Sequence, residues 1–142
     1  MFLYIILFNL LNPLQNNDSI NLPSNTNAVE SSFASIQFDT KSITLDTLCE
    51  GEQGKFKYKY TNVGTSPLIL SNVKSSCGCY VPQWSKEPIA PGESSEIIGL
   101  YNSRGRSGHF TKTMTVLSND FAKPTIMLFA RGFTKGKVMC QN

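Results

Sequence analysis

Between Lys55 and Asn62 the sequence reads KFKYKYTN, and this strict alternation most limits what the chain can fold into. Successive side chains of an extended backbone point to opposite faces, so Phe56, Tyr58 and Tyr60 share one face and Lys55, Lys57 and Lys59 the other. A helix would scatter the same residues around its circumference. The segment is therefore expected to be a strand with one face in water and its three aromatics in a core.

The remaining sequence repeats the signal in weaker form. Short strand candidates at 35–39, 42–48, 68–73, 93–102, 109–118 and 125–134 are separated by turn residues, with hardly a helical window between them. Residues 50–54 and 62–67 read as turns, and Pro91-Gly92 fits the central pair of a type II turn because Gly tolerates positive φ. RGRSG at 104–108 reads as a tight basic hairpin loop. In 109–118, Phe110, Met114 and Val116 fall on one face and Thr111, Thr113 and Thr115 on the other. The last strand is apolar on both faces for much of its length and is expected to be central or doubly covered. Seven or so strands at this spacing predict an all-β fold, an immunoglobulin-like β-sandwich. The widely spaced Cys, Trp and Cys of true immunoglobulin domains are absent. A charged fraction of only 16% suits half-buried strands better than amphipathic helices, and 142 residues leave room for one domain.

The sandwich is expected over 33–135, with 136–142 as a tail. Before it, residues 1–14 (MFLYIILFNLLNPL) carry an apolar run too short to cross a bilayer, which takes about 20 residues. They resemble the apolar region of an export signal, although the basic residues that usually precede it and a small-x-small cleavage site are missing. The other reading is an apolar segment packed on the domain. Residues 15–32, rich in Asn, Ser and Pro, read as a flexible tether. If 1–14 is an export signal, the protein is extracytoplasmic, periplasmic or secreted, with no stable membrane span. A net charge of +3 and alternating, unclustered lysines give no nucleic-acid footprint. Asn17-Asp18-Ser19 matches a glycosylation acceptor by pattern only.

Candidate chemistry centres on VKSSCGCYVP, residues 73–82. At a strand or strand end, Cys77 and Cys79 would present both sulfurs on one side. They could be a redox dithiol, a soft-metal site for Cu(I) or Zn(II), or a structural pair, packed as thiols or closed as a small disulfide with Gly78 providing a bend. Zinc would need two further ligands, and Cys49, Cys140 and His109 show no recognisable spacing. Known redox pairs carry two residues between their cysteines at a helix N-terminus, and no helix starts at Cys77. The structural reading is preferred. Cys49 and Cys140 are either ordinary thiols or an end-stapling disulfide.

The segments TNVGTSPLILSNVKSSCGCYVP, PIAPGESSEI and SGHFTKTMTVLSND, with a terminal strand reaching Gly132, resemble a bacterial family known as domain of unknown function fifteen seventy-three. The resemblance rests on Asn62, Gly64, Pro67, Leu68, Cys77, Gly78, Cys79, Pro91, Gly92, Glu93, Gly108, Phe110, Lys112, Ser118 and Asn119, and covers roughly 36–133. Tyr80 replaces the family's Thr after the second Cys, and Thr47-Leu48-Cys49 replaces its usual Gly. The resemblance implies an immunoglobulin-like sandwich similar to major-sperm-protein and ASH-type domains, usually in exported proteins. It implies no established activity.

No Ser-His-Asp arrangement, phosphate-binding Gly loop or paired carboxylates stand in a supporting context, and no cofactor is expected. The reading is a non-catalytic binding or scaffolding module, with a thiol-redox or copper-handling protein using Cys77 and Cys79 as the alternative. Its partner, a protein or else a carbohydrate, is expected on the loop 80–91, where Tyr80 and Trp84 offer amphipathic area and the cysteine pair would anchor the loop's root. Trp84 could stack on a sugar, but a lid over the core is the plainer role. His109, Arg104 and Arg106 read as solvated.

Overall fold

The alternating aromatics place the core. In the structure, a computed structural model that describes residues 31–140, Gln53–Asn62 is a strand whose Phe56, Tyr58 and Tyr60 are fully buried while Lys55, Lys57 and Lys59 are exposed. It is the third of eight strands among the described residues: β1 (Ile36–Phe38), β2 (Ser42–Cys49), β3 (Gln53–Asn62), β4 (Leu70–Ser75), β5 (Tyr80–Gln83), β6 (Ser94–Asn102), β7 (Gly108–Ser118) and β8 (Thr125–Lys135). A single 3-10 turn, Lys137–Cys140, follows. The strands form two four-stranded sheets, ordered β1-β3-β6-β5 and β2-β8-β7-β4, which face each other across the core as an all-β, immunoglobulin-like sandwich. Every pairing is antiparallel except β2 with β8. The expectations for residues 1–14 and for most of 15–32 lie outside the described residues.

Two expectations need correction. Residues 80–83 were expected in a loop, yet they form β5, paired with β6 from Tyr80↔Tyr101 to Gln83↔Ile98. Four residues including a proline give no alternation to read, and only the partner strand makes them a strand. RGRSG is no hairpin either, because β6 and β7 lie in different sheets and the segment crosses between them. The last strand is central, as expected, but is covered on one side only: Ile126, Leu128 and Ala130 are buried while Met127 and Arg131 face out.

The two sheets are tied by hydroxyls as well as by apolar contact. Tyr58 donates across the core to the Phe129 carbonyl at 2.9 Å. With its only proton engaged there, Tyr58 accepts from Tyr80 at 3.2 Å. Burial pushes both phenols up, further for Tyr80 because it is the donor, so neither ionises near neutral pH. Tyr80 fits only because β6 carries Gly at 99, opposite Pro82, where any Cβ would collide with the Tyr80 ring and hydroxyl. The same strand also closes an edge. The bond from Asn102 N to Cys79 O makes Tyr80↔Tyr101 a non-hydrogen-bonded pair, so the nitrogens of Tyr80 and Pro82 face the free side of β5. Tyr80 N is already bonded to Cys77 O and Pro82 has no proton, so this edge offers no donor to an added strand.

At the end of the sandwich where β3 finishes, one buried side chain joins three stretches of chain. Asn62 Nδ2 donates to Ser66 O at 2.8 Å and to Ile89 O at 2.9 Å, and its Oδ1 accepts from Gly64 N at 3.0 Å. Its main chain bonds Glu93 O and Gly92 N, docking the Ala90–Glu93 turn, in which Gly92 has φ +81 as a type II turn requires. Gly64 must be Gly, since a Cβ would lie 2.6 Å from Ser35 N. Nearby, Asp120 is buried and accepts from Ile36 N with one oxygen and from Ala122 N and Lys123 N with the other, all at 2.9 Å. Asn119 clips the start of β4, accepting from Ile69 N and donating to Pro67 O.

Replacing Asn62 by Ala would remove three side-chain hydrogen bonds at once and leave Ser66 O and Gly64 N without these partners, and a loss of about 2 to 3 kcal/mol is expected in urea unfolding with an unchanged slope. Burial alone would raise the Asp120 pKa, but the three backbone N–H groups outweigh it and hold the carboxyl below its ordinary value. A depressed folded pKa contributes stability above the unfolded value, about 3.9, that is lost as pH falls through the folded one. Urea midpoints from pH 7 to pH 2 should therefore fall in the acid range for the native chain. Asp120→Asn should be weaker at pH 7 and flatter below pH 4.

Candidate functional site

The Cys-Gly-Cys segment is the corner at which the chain passes from β4, an edge of one sheet, to β5, an edge of the other. Its hydrogen bonds come from both sides. Ser76 N donates to Thr113 O at 2.9 Å and so continues the β4–β7 ladder. Asn102 N donates to Cys79 O at 2.8 Å, which continues β5–β6. Within the corner the Cys77 carbonyl accepts from Ser75 Oγ at 2.8 Å and from Tyr80 N at 3.3 Å. The cysteines are thus in a bend rather than the extended backbone expected. In an extended strand their Cα atoms would be about 6.6 Å apart. Here they are 5.2 Å apart and the sulfurs are bonded to each other.

The two members of this disulfide differ in burial. Cys79 is 8% exposed and belongs to the core, whereas Cys77 is half-buried and packs against it. Gly78 is exposed, and a Cβ built on it would meet nothing within 4 Å. Its φ lies outside the left-handed region, so the bend does not demand Gly. The other two cysteines pair as well: Cys49, at the end of β2, is joined to Cys140 after β8, closing a separation of 91 residues at the same end of the sandwich. All four cysteines of the sequence are therefore disulfide-bonded. A soft metal would need thiolates that this oxidised pair does not offer. Among the described residues no three His, Cys, Asp or Glu side chains cluster as ligands.

The expected contact residues are not brought together. Tyr80 is fully buried and serves the core, so it has no area to offer a partner. Trp84 follows β5, half-buried, packed against the core and with the Lys86 ammonium 4.0 Å from the ring centroid, so one ring face is already taken by a cation. The cysteine pair does not root this loop, since the whole of β5 stands between them. Ile89 is pinned by a two-bond bridge to Leu68. His109 is exposed, its ring edge-on to Phe133. Arg106 bonds the Arg104 carbonyl of its own loop.

Of the eight large apolar residues exposed among the described residues, four lie on connections at the end built around Asn62 and Asp120. Phe121 is 95% exposed, and Phe33, Val63 and Ile69 are exposed on the neighbouring connections. Their backbones are held: Thr65 N and Ser66 N bond Phe33 O, and Asp120 fixes the two residues after Phe121. Lys41 and Lys123 line a shallow depression that starts at Ala122, the residue after Phe121. Sequence reading passed over this aromatic because its flanks, Ser-Asn-Asp and Ala-Lys-Pro, read only as a turn.

Loop length separates the two disulfides energetically. Chain-entropy estimates give about 4 to 5 kcal/mol for closing a loop near 90 residues and under about 2 for closing a single residue. Replacing Cys49 and Cys140 by Ser should therefore cost several times more in urea unfolding than replacing Cys77 and Cys79.

Comparison with known proteins agrees with this architecture. A protein of unknown function from Porphyromonas gingivalis W83 superposes with a TM-score of 0.64 at 18% identity, over 77% of this chain and 51% of that one. The chain thus spans about half the length of that protein. The ASH/PapD-like domain 7 of human CEP192 gives 0.61 at 13% identity, over 73% of this chain and 87% of that one. The VesB protease of Vibrio cholerae gives 0.52 at 14%, over 72% of this chain but 31% of the protease. At such identities the likeness shows the fold alone. No curated protein matches the chain in sequence. Residues 36–133 match the family described as protein of unknown function (DUF1573), and the chain belongs to that family.

Proposed function

We propose that this chain is an extracytoplasmic binding module whose partner is a protein, gripped at the loop end that carries Phe121. The observation that carries the reading is Phe121 itself, an almost fully exposed aromatic on a turn whose backbone Asp120 holds in place. Binding through a held turn avoids much of the entropy lost when a mobile loop orders, and large aromatics are the usual anchors of interfaces. Phe33, Val63 and Ile69, exposed on connections at the same end, would add apolar area to the contact. Lys41 and Lys123 beside it favour a partner with an apolar pocket and an acidic rim. Two disulfides that account for every cysteine support an oxidising compartment, hence export.

The test places a photo-crosslinking amino acid at Phe121 of the full chain, in the cells that produce it, with the same group at Thr111 on the outer face of β7 as control. A discrete protein adduct is expected at Phe121, absent at Thr111 and reduced at least about tenfold by Lys41→Glu with Lys123→Glu. Equal labelling at both positions, lipid adducts alone, or indifference to the two charge reversals would overturn the reading.

A further inference from the structure

We propose that the Cys77–Cys79 disulfide is a thiol–disulfide exchange site, able to take two electrons from a dithiol. This goes beyond binding and does not depend on the Phe121 surface. The argument starts from linkage. Whatever a disulfide adds to the stability of the fold, the fold adds to the stability of that disulfide against reduction. Cys49–Cys140, closing 91 residues, is protected in this way. Cys77–Cys79, closing a separation of 2, gains little protection from folding.

Opening this bond also leaves the chain where it is. The corner remains tied to β7 through Ser76 N and to β6 through Cys79 O, and its own turn bond from Tyr80 N to Cys77 O is independent of the sulfurs. Access is one-sided. Cys77 is the more exposed partner, the space beside Gly78 is open, and Cys79 is packed in the core. That asymmetry assigns the roles.

A thiolate of the incoming dithiol attacks Cys77 Sγ. The Cys77–Cys79 bond breaks, a mixed disulfide forms at Cys77, and Cys79 leaves as a thiolate that takes a proton from solvent. The second thiol of the same molecule then attacks the mixed disulfide at its own sulfur and releases Cys77, which is protonated in turn. The dithiol has become a disulfide, Cys77 and Cys79 have become thiols, and two electrons and two protons have changed hands. An oxidised partner drives the same steps in reverse.

The full chain, equilibrated in glutathione buffers of graded ratio, quenched with an alkylating reagent and read by peptide mass, tests this directly. Cys77 and Cys79 should become alkylated together at a ratio that leaves Cys49–Cys140 intact and the circular dichroism unchanged. If both disulfides open over the same range, or the first opens only with loss of structure, the proposal fails. Polarity is tested separately by reaction with glutathione disulfide. Cys77 in Cys79→Ser should form the mixed disulfide at least about tenfold faster than Cys79 in Cys77→Ser. Equal or inverted rates would overturn the assignment of Cys77 as the attacked sulfur. Reduced dithiothreitol at equimolar concentration should leave as its cyclic disulfide in step with the appearance of the two thiols, and its persistence over hours would overturn the exchange itself.

Discussion

One buried amide organises the end of the sandwich that matters most for contacts. Asn62 sits where β3 stops, and its side chain bonds both the turn after it and the β5–β6 connection. The part-buried Ser66 carbonyl finds its donor in this amide, and the buried Ile89 carbonyl, already bonded by Leu68 N, takes a second bond from it. An Asp here could not donate, and a Leu of similar size could neither donate nor accept. The adjacent Gly64 follows from the same packing, because the N-terminal stretch before β1 lies directly against it.

How far the sequence leads depends on how local the cause is. The strand β3 was legible because period-two alternation is written in consecutive residues, and the turn at Pro91-Gly92 because a positive φ demands Gly there. The strand β5 was illegible because YVPQ is made extended by β6, whose paired residues are 15 to 21 positions further on, and by a glycine at position 99 that admits Tyr80. The same cause misplaced Tyr80 as a contact residue: its ring lies over β6 on the inner face of its own sheet, where its hydroxyl meets that of Tyr58. RGRSG misled for a related reason, since a short basic loop looks the same whether it returns to its own sheet or crosses to the other.

The cysteines show the limit from another side. Sequence allowed three pairings among four cysteines, and nothing in the residues themselves chose among them. Strand order does: β2 lies beside β8, which brings Cys49 to Cys140, while the corner between β4 and β5 bends Cys77 onto Cys79. Most of the remaining residues that carry the family resemblance prove to be packing and turn residues. Asn62, Gly64 and Leu68 belong to the Asn62 end, Phe110 stacks on Tyr101 with centroids 4.2 Å apart, and Asn119 clips β4.

The pairing of Cys49 with Cys140 has a mechanical consequence. A pull applied beyond Cys140 enters the fold through the disulfide at Cys49, at the end of β2. Everything from β3 to β8 then lies inside a covalently closed loop that tension cannot lengthen. Of the described residues only 31–49 lie in the load path outside that loop, and β2, which ends at the anchored Cys49, is already extended. The domain can therefore bear load as a nearly inextensible link.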